Sequence, residues 1–409
     1  MNIVSFIARR IIWQKNYSFS RFIIRLSASA TAISVAIMIM ALAFVAGFQE
    51  AVSNKVFSFW GHIRIQQQEP SVSGLAEELP SFKNDTIEKT LRTHPKIKFT
   101  DAFATKSALL KTEEGIEGVL LKGVEPGFHK ERIEPFMIDG QWLDFKSDSS
   151  QTPVIISAYT AKQLQLKTGD KAILFFIGDE MSKQARPVRI CGIYKTSIEE
   201  YDKTFAIADI GLIQRINKWS PNQVAGYEVT IDNYNDDGRI SNQLLDSIPV
   251  SWYASTVRSI YPNIFDWLHL QNTNRIIIIV VMCVVAIMNL ITCLLILVLE
   301  RSRMIGLLKA TGATNLQVQK IFWQQAIFIA LAGIIIGNIF GIGLSWLQQS
   351  TGFIRLSEAA YYVAQAPVKI IWWQVLLVNV ITFIISFLVL LLPALLVKRI
   401  TPVKALRFE

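Results

Sequence analysis

Charged residues are scarce in this sequence: they make up 18% of its 409 residues, whereas soluble domains usually carry about 25%. The shortage is uneven, because a few long stretches carry no charge at all, and such stretches are typical of membrane proteins. Cysteine is rarer still, since only Cys191, Cys283 and Cys293 occur. Three cysteines at these spacings build neither a disulfide framework nor a metal site.

Signatures of enzyme chemistry are also missing. The four histidines, at positions 62, 94, 129 and 269, do not have the spacing of metal ligands. The sequence contains no nucleophile elbow and no HExxH motif, and KTGDKA at 167–172 lacks the glycine spacing of a phosphate-binding loop. We therefore predict that the chain is not an enzyme, holds no cofactor or metal and does not hydrolyse ATP by itself.

Four long apolar segments are present, at about 26–48, 276–299, 321–347 and 370–397. Each has roughly 20 residues without a charge, which as a helix is enough to cross a hydrocarbon core of about 30 Å. The first segment is too long for the apolar part of a signal peptide and has no clear cleavage site. We therefore predict four transmembrane helices.

Small and amide residues recur inside these segments. Two sets of small residues repeat every fourth position, a spacing that favours close packing of helices: Ala28, Ala32 and Ala36, and Gly333, Gly337 and Gly341. Asn289 and Asn338 also lie within apolar segments, and we expect both to bond to neighbouring helices.

The net charge of +9 is concentrated beside the apolar segments. Residues 1–25, 300–320 and 398–409 together hold thirteen bases and two acids, whereas 49–275 hold 26 bases and 29 acids. Basic flanks mark the cytoplasmic side of a membrane, so we expect both termini and the 300–320 loop there. The 49–275 region and the 348–369 loop then lie outside. This distribution argues against a nucleic-acid partner, and we expect 3–13 to form an amphipathic helix on the membrane surface.

The 49–275 region has ordinary globular composition, with helix and strand patterns that alternate. The patterns predict a large α+β domain inserted between the first and second transmembrane helices. A return to strand, helix and strand after residue 226 suggests two subdomains, the second at about 150–225. Asp85 is the expected N-cap of a helix that ends at Thr93.

The cytoplasmic loop at 300–320 predicts a short helix, a tight break and a second helix. Met304, Ile305 and Leu308 fall on one face of the first helix, Gly312 can end it, and Thr314 can cap the next one. The short helix is either a docking surface that transmits movement from a cytoplasmic partner or a basic helix that only anchors the loop.

Several stretches resemble a known family. LERSRMIGLLKATGAT, at 299–314, resembles the coupling segment of the FtsX-like/MacB-type ABC permease superfamily. Further stretches are similar to its lipoprotein-releasing LolC/LolE branch: Gly47-Phe48-Gln49, IEEYDKTFAIADI, LSEAAYYVAQAPV and PALLVKRITPVKALRFE.

The resemblance implies a multi-pass permease subunit in the bacterial inner membrane, with a periplasmic domain between helices 1 and 2. Such a permease pairs with a second permease subunit, either the same chain or a paralogue. The pair uses ATP-Mg on two copies of a separate cytoplasmic ATPase to extract lipoproteins. The carried-over ATPase contacts are Glu300, Arg301, Met304, Ile305, Leu308, Lys309, Gly312 and Ala313. The carried-over lipid and lipoprotein contacts are Met40, Phe44, Phe48, Ile279, Met282 and Ile287.

Other readings stay open at the level of sequence. A periplasmic carrier would dock on a long hairpin, and the matching stretch here, Phe176–Pro187, looks short. A mechanotransmitting permease that regulates a periplasmic partner would need a smaller outer domain. An efflux or peptide-export permease of the macrolide-exporter type usually carries its ATPase on the same chain, and a membrane receptor without a motor would not need the coupling segment.

Overall fold

The computed structural model describes residues 19–67, 80–145, 152–177 and 183–389. These residues divide into two compact units. The helical unit takes the described residues up to Glu50, then Trp267–Arg355, and then the described residues from Gln365 onward. The sheet unit takes Ala51–Asp266 and Leu356–Ala364.

The helices, in chain order, are α1 Phe19–Trp60, α2 Asp85–Thr93, α3 Ala158–Gln163, α4 Glu199–Thr204, α5 Ile210–Asn217, α6 Asp237–Leu245, α7 Val257–Ile260, α8 Pro262–Glu300, α9 Ser302–Ala310, α10 Asn315–Thr351, α11 Glu358–Tyr361 and α12 Trp372–Val389. The strands are β1 Ile63–Gln67, β2 Ser81–Phe82, β3 Ile97–Lys111, β4 Ile116–Val124, β5 Met137–Gly140, β6 Thr152–Ser157, β7 Lys171–Ile177, β8 Lys183–Tyr194, β9 Phe205–Asp209, β10 Gln223–Val224, β11 Gly226–Ile231 and β12 Trp252–Thr256.

Three described helices are long and apolar enough to cross a membrane: α1, α8 and α10. Each extends beyond the apolar segment that predicted it. Helix α12 is also apolar, but its described part is shorter, so the four-span count stays a prediction. The predicted surface helix at 3–13, the end of the fourth segment at 390–397 and the tail at 398–409 lie outside the described residues.

The two sets of small residues form one seam in the helical unit. A Cβ added to Gly337 would come within 2.7 Å of Val35 Cβ and 2.8 Å of the Ala32 carbonyl oxygen. One added to Gly341 would come within 3.1 Å of Ala36 Cα. Helices α1 and α10 therefore pack with their backbones close together, and the predicted packing role of both sets is confirmed.

Amide side chains bond across helices in the same unit. Asn338 donates to Asn379 Oδ1 at 2.9 Å, and Asn379 donates back to Asn338 Oδ1 at 3.0 Å, so α10 and α12 share a reciprocal pair. Ser27 donates to Asn289 Oδ1 at 2.9 Å, which connects α1 with α8. The expectation that both asparagines bond to neighbouring helices is confirmed.

The sheet unit is built on a ten-stranded mixed sheet, and β2 and β10 form a separate pair. The main order is β12-β1-β11-β3-β4-β9-β6-β8-β5, with β7 paired to both β3 and β8. Strands of the predicted second subdomain, β6 to β9, pair into this same sheet and lie in the same compact unit. The strands of both predicted subdomains therefore share one sheet, and the division into two subdomains stays a prediction.

The predicted cap of α2 is one residue off. Asn84, not Asp85, is the N-cap, and its Oδ1 accepts hydrogen bonds from the Thr86 and Ile87 backbone N–H groups. Both side-chain types can cap a helix, so composition alone did not separate them. Asp85 lies in the first turn, where its negative charge favours the helix dipole.

A buried network of charged side chains lies at the end of α1 within the sheet unit. Lys122 Nζ is 2.6 Å from Glu228 Oε1, and both side chains are completely buried. Arg132 joins them through contacts of 3.0 Å to Glu228 and 2.7 Å to Asp101. Lys122 also donates to the Phe59 carbonyl, one of the last carbonyls of α1. Burial lowers the pKa of Lys122 to about 8, and the neighbouring Glu228 opposes that shift.

Candidate functional site

The stretch predicted to couple the chain to a partner forms a tight helical corner. Helix α9 ends at Ala310, and Gly312 takes a left-handed φ of +95° that would strain any other residue. Thr314 begins α10 with a capping box: Thr314 Oγ1 accepts from the Gln317 N–H, and Gln317 Oε1 accepts from the Thr314 N–H. The predicted cap and break are confirmed. This local bonding makes the corner a defined turn.

A small apolar core holds the corner together. Val298 of α8, Ile305 of α9, and Val318 and Phe322 of α10 are buried against one another. Leu308 and Ala313 pack against this cluster. Helix α9 is therefore fixed to the adjoining ends of α8 and α10 by contacts that exclude water.

This packing changes the reading of the predicted ATPase contacts. The side chain of Ile305 is fully buried, and Leu308 faces inward. The core of the corner explains the apolar character of both residues, although Leu308 is only partly buried, and their contact with an ATPase stays a prediction. Met304, Lys309 and Arg301 are half-buried, whereas Glu300 and Gly312 are exposed.

The outer side of the corner carries apolar residues that the sequence reading missed. Leu307 is 58% exposed and Leu316 is 64% exposed, and neither packs into the cluster. Arg303 and Lys320 are exposed on the same two helices. Two exposed leucines with nearby cations make a surface that suits an apolar and acidic protein partner. The signal was present in the sequence, but Leu307 adjoins Leu308, and only packing shows which leucine faces out.

The six positions predicted to contact lipid do not form one site in this chain. Ile279 and Met282 pack against the α1 cluster that contains Val35 and Met38, whereas Ile287 packs in a different cluster. Phe48 is 2% exposed and stacks edge-on against Trp267, with ring centroids 5.3 Å apart.

The two remaining lipid positions, Met40 and Phe44, lie within α1. Phe44 stacks on Phe48 at 5.7 Å, and Met40 is half-buried. The six positions therefore lie in separate groups within the helical unit, and their contact with lipid stays a prediction.

The stretch Phe176–Pro187, compared above with a carrier-docking hairpin, belongs to the hairpin of β7 and β8. Its pairing runs from Lys171 opposite Arg189 to Ile177 opposite Lys183. Its tip, 178–182, lies outside the described residues. Among described residues no group of three or more histidine, cysteine, aspartate or glutamate side chains is placed to hold a metal ion.

Comparisons with known families agree with this architecture. A family described as the FtsX-like permease C-terminal region matches residues 276–402, and one described as the MacB-like periplasmic core domain matches residues 26–244. The fold and both matches define a membrane permease that carries a periplasmic core domain. The chain belongs to the FtsX-like/MacB-type permease superfamily, as its motifs predicted.

Curated relatives cover almost the whole chain. The lipoprotein-releasing system transmembrane protein LolE of Haemophilus influenzae is 24% identical over 402 residues, which is 94% of either protein. The LolC protein of Xylella fastidiosa is 20% identical, over 97% of this chain and 96% of its own. The solved periplasmic region of MacB from Actinobacillus actinomycetemcomitans covers 49% of this chain and 91% of its own at 13% identity, with a TM-score of 0.34. The predicted resemblance to the LolC/LolE family is confirmed by the two curated relatives.

Proposed function

We propose that this chain is the permease subunit of an ABC transporter that extracts lipoproteins from the inner membrane for delivery toward the outer membrane. In this proposal the chain crosses the membrane four times, with α1, α8, α10 and the segment that contains α12. Both termini and the α9 corner face the cytoplasm, and the sheet unit is periplasmic. Support comes from the basic flanks of the apolar segments and from the lipoprotein-releasing relatives.

The α9 corner is the observation that carries the proposal. Its exposed Leu307 and Leu316 offer a separate ATPase an apolar binding surface. Its buried core connects that surface to two membrane helices. Because Val298 belongs to α8 and Phe322 to α10, a displacement of α9 moves the ends of both helices together. In this proposal, ATP binding by the partner ATPase displaces α9 and thereby moves the membrane helices α8 and α10.

The energetics explain why such a motor is needed. Each buried CH₂ of an acyl chain contributes about 0.8 kcal/mol to membrane anchoring, and a lipoprotein carries several chains. Its release into water is far too costly without ATP. A second permease subunit completes the path, and both subunits would contact the acyl chains through α1 and α8.

A single substitution tests the coupling surface. Leu307→Asp puts a charge on the exposed side of α9, so we expect the ATPase to be lost from the purified permease while the permease stays monodisperse. Leu270→Asp is the matched control, since Leu270 is 61% exposed on α8 and lies outside the corner. ATPase retained by Leu307→Asp at the control's level would contradict the coupling role.

Depletion of the protein tests the cargo. We expect mature outer-membrane lipoproteins to accumulate in the inner membrane, as read by fractionation. Normal lipoprotein sorting with a cell-wall hydrolysis defect would instead support the mechanotransmitting permease, and normal sorting with antibiotic sensitivity would support the exporter.

A further inference from the structure

One turn of α1 in the helical unit, Gly47–Glu50, contacts a segment outside α1 at each of its four residues. Two of these residues contact the first turns of α8. Phe48 packs edge-on against Trp267, and Gln49 Nε2 donates to the Leu268 carbonyl oxygen at 2.9 Å. The beginning of α8 is therefore held to α1 by an aromatic contact and by a directional hydrogen bond.

The other two residues of this turn contact the lead-in to α12, the short segment that ends just before that helix begins. The Glu50 carboxylate lies 2.6 Å from Lys369 Nζ, and the Lys369 backbone N–H donates to the Ala43 carbonyl oxygen at 2.9 Å. A Cβ added to Gly47 would come within 2.7 Å of the Pro367 carbonyl oxygen and 2.8 Å of the Lys369 backbone nitrogen. The lead-in therefore crosses α1 at backbone distance, and a side chain at position 47 would displace it.

A second hydrogen bond between α1 and α8 shows that the two helices share one register. Ser27 donates to Asn289, and this pair lies 22 positions from Gln49 in α1 and 21 positions from Leu268 in α8. At about 1.5 Å per residue the two bonds are about 32 Å apart, close to the thickness of a hydrocarbon core. Between them the helices meet through apolar side chains, which give no directional resistance to sliding. The register of α8 against α1 therefore depends on the bonds at the two ends.

We propose that Gly47–Glu50 is a joint that fixes the axial position of α8 and of the α12 lead-in against α1. Its residues are positioning residues for the transport step, a role that rests on the coupling of α9 to an ATPase proposed above. A push on the α9 corner enters α8 at Val298. With the other end of α8 held at the joint, the push carries α1 and the lead-in with it. Without the joint, α8 slides along α1 and the movement is lost.

Cross-linking between α1 and α8 tests the joint without ATP or cargo. Cys283 Sγ lies 4.0 Å from Met38 Sδ, so Met38→Cys places a second thiol beside Cys283 in a full complex that lacks the other two native cysteines. We expect Gln49→Ala to slow cross-linking by a short bis-methanethiosulfonate about threefold, the factor that corresponds to one hydrogen bond between membrane helices. Gln349→Ala is the control, since Gln349 is exposed on α10 and lies outside the joint.

A glycine substitution tests the crossing of the lead-in. Alanine is a better helix former than glycine, so helix propensity alone predicts that Gly47→Ala raises the melting temperature. The joint predicts a lower melting temperature, because the added Cβ displaces the lead-in from α1. Gly343→Ala is the control, since nothing lies within 4 Å of a Cβ added there, and it should not lower the melting temperature.

A charge reversal tests the positioning role itself. Glu50→Lys sets two cations against each other, so we expect lipoprotein release per ATP hydrolysed to fall about threefold while the ATPase rate is unchanged. Lys369→Glu in the same chain reverses the pair and should restore release. A merely structural role would instead lower the amount of intact complex and leave release per ATP unchanged.

The outcomes separate the joint from the cargo. Equal cross-linking rates for Gln49→Ala and its control, a higher melting temperature for Gly47→Ala, or a charge reversal that does not rescue release would overturn the joint. Absence of lipoprotein release by the unsubstituted complex would overturn the proposed cargo, and the cross-linking rates would then decide the joint by themselves.

Discussion

The two units of this molecule use opposite means to hold their interiors together. In the helical unit, glycines on α10 meet α1 so closely that an added methyl group would clash, and amides pair between helices. In the sheet unit, the interior holds a network of fully or nearly buried charges around Glu228. Between lipid-facing helices the hydrophobic effect gives little attraction, so backbone proximity and amide bonds take its place. The sheet unit can bury apolar surface against water, and it tolerates charges inside because they are paired.

Removing a member of the buried charge network should cause the largest loss of stability. Glu228→Ala leaves Lys122 and Arg132 buried with one partner fewer, and removal of one member of a buried pair costs about 3–5 kcal/mol. We expect proteolysis of the sheet unit to become rapid in the purified full-length protein. Glu134→Ala is the control, because its ion pair with Lys130 is half exposed and should change stability by less than about 1 kcal/mol. Similar proteolysis rates for the two variants would show that the network is not a stabilising element.

A buried histidine should make the sheet unit sensitive to acid. Desolvation, followed by the charges of Arg132 and Arg258, lowers the pKa of His62 from 6.5 to about 4, and neutral His62 Nδ1 accepts from the Ile231 N–H at 3.1 Å. Between those pH values the unfolded chain binds the proton and the folded chain does not. Stability therefore falls as the pH drops from 6.5 to about 4, by about 2 kcal/mol after allowance for solvent screening.

Hydrogen exchange of β1 and β11 amides checks this acid sensitivity. Protection should decrease between pH 7 and 4.5 once the intrinsic exchange rates are corrected for, and His62→Gln should flatten that decrease. His269→Gln, on an exposed position of α8, should leave the profile unchanged. An unaltered profile for His62→Gln would exclude this histidine as the cause.

A substitution that overpacks the seam between α1 and α10 should lower the free energy of unfolding by about 1–3 kcal/mol. Gly337→Leu places a side chain where the α1 backbone lies, so we expect a lower melting temperature of the detergent-purified protein. Gly343→Leu is a matched control on the same helix, since nothing lies within 4 Å of a Cβ added there. Because leucine is a better helix former than glycine, a control that melts as early as Gly337→Leu would mean that added bulk anywhere on α10, and not the seam, lowers stability.

The smallest effect should come from the amide pair of α10 and α12. Hydrogen bonds between membrane helices contribute about 0.6 kcal/mol on average, so Asn338→Leu with Asn379→Leu should lower the melting temperature only slightly. Either single substitution should cost more than the double one, because it leaves an amide without its partner. A double variant worse than both single variants would contradict this account of the pair.

The sequence predicted what depends on short spacing and missed what depends on topology. The Thr314 cap, the Gly312 break and the small-residue seam follow from residues a few positions apart, and the structure contains all three. The ion network was not predictable, because Asp101, Lys122 and Glu228 come together only through strand order.

The loop at 348–369 shows the same limit. Glu358 of α11 pairs with Lys195, and Lys55 donates to the Tyr362 carbonyl at 2.7 Å, so 356–364 belong to the sheet unit although they follow α10 in the chain. Nothing in the local sequence marks these partners. They lie 163 and 307 positions away in the chain, and only the fold of the sheet unit brings them together. In the α9 corner, likewise, the outward leucine could be separated from the inward one only by packing.

Labelling of single cysteines from outside the cell tests the central claim most directly. In a background without the three native cysteines, Leu307→Cys marks the α9 corner and Val250→Cys marks the sheet unit, where Val250 is 94% exposed. In intact spheroplasts a membrane-impermeant maleimide should label position 250, and it should label position 307 only after the membrane is opened. Labelling of position 307 from outside, with position 250 protected, would contradict a coupling surface on the side of the membrane where ATP is available.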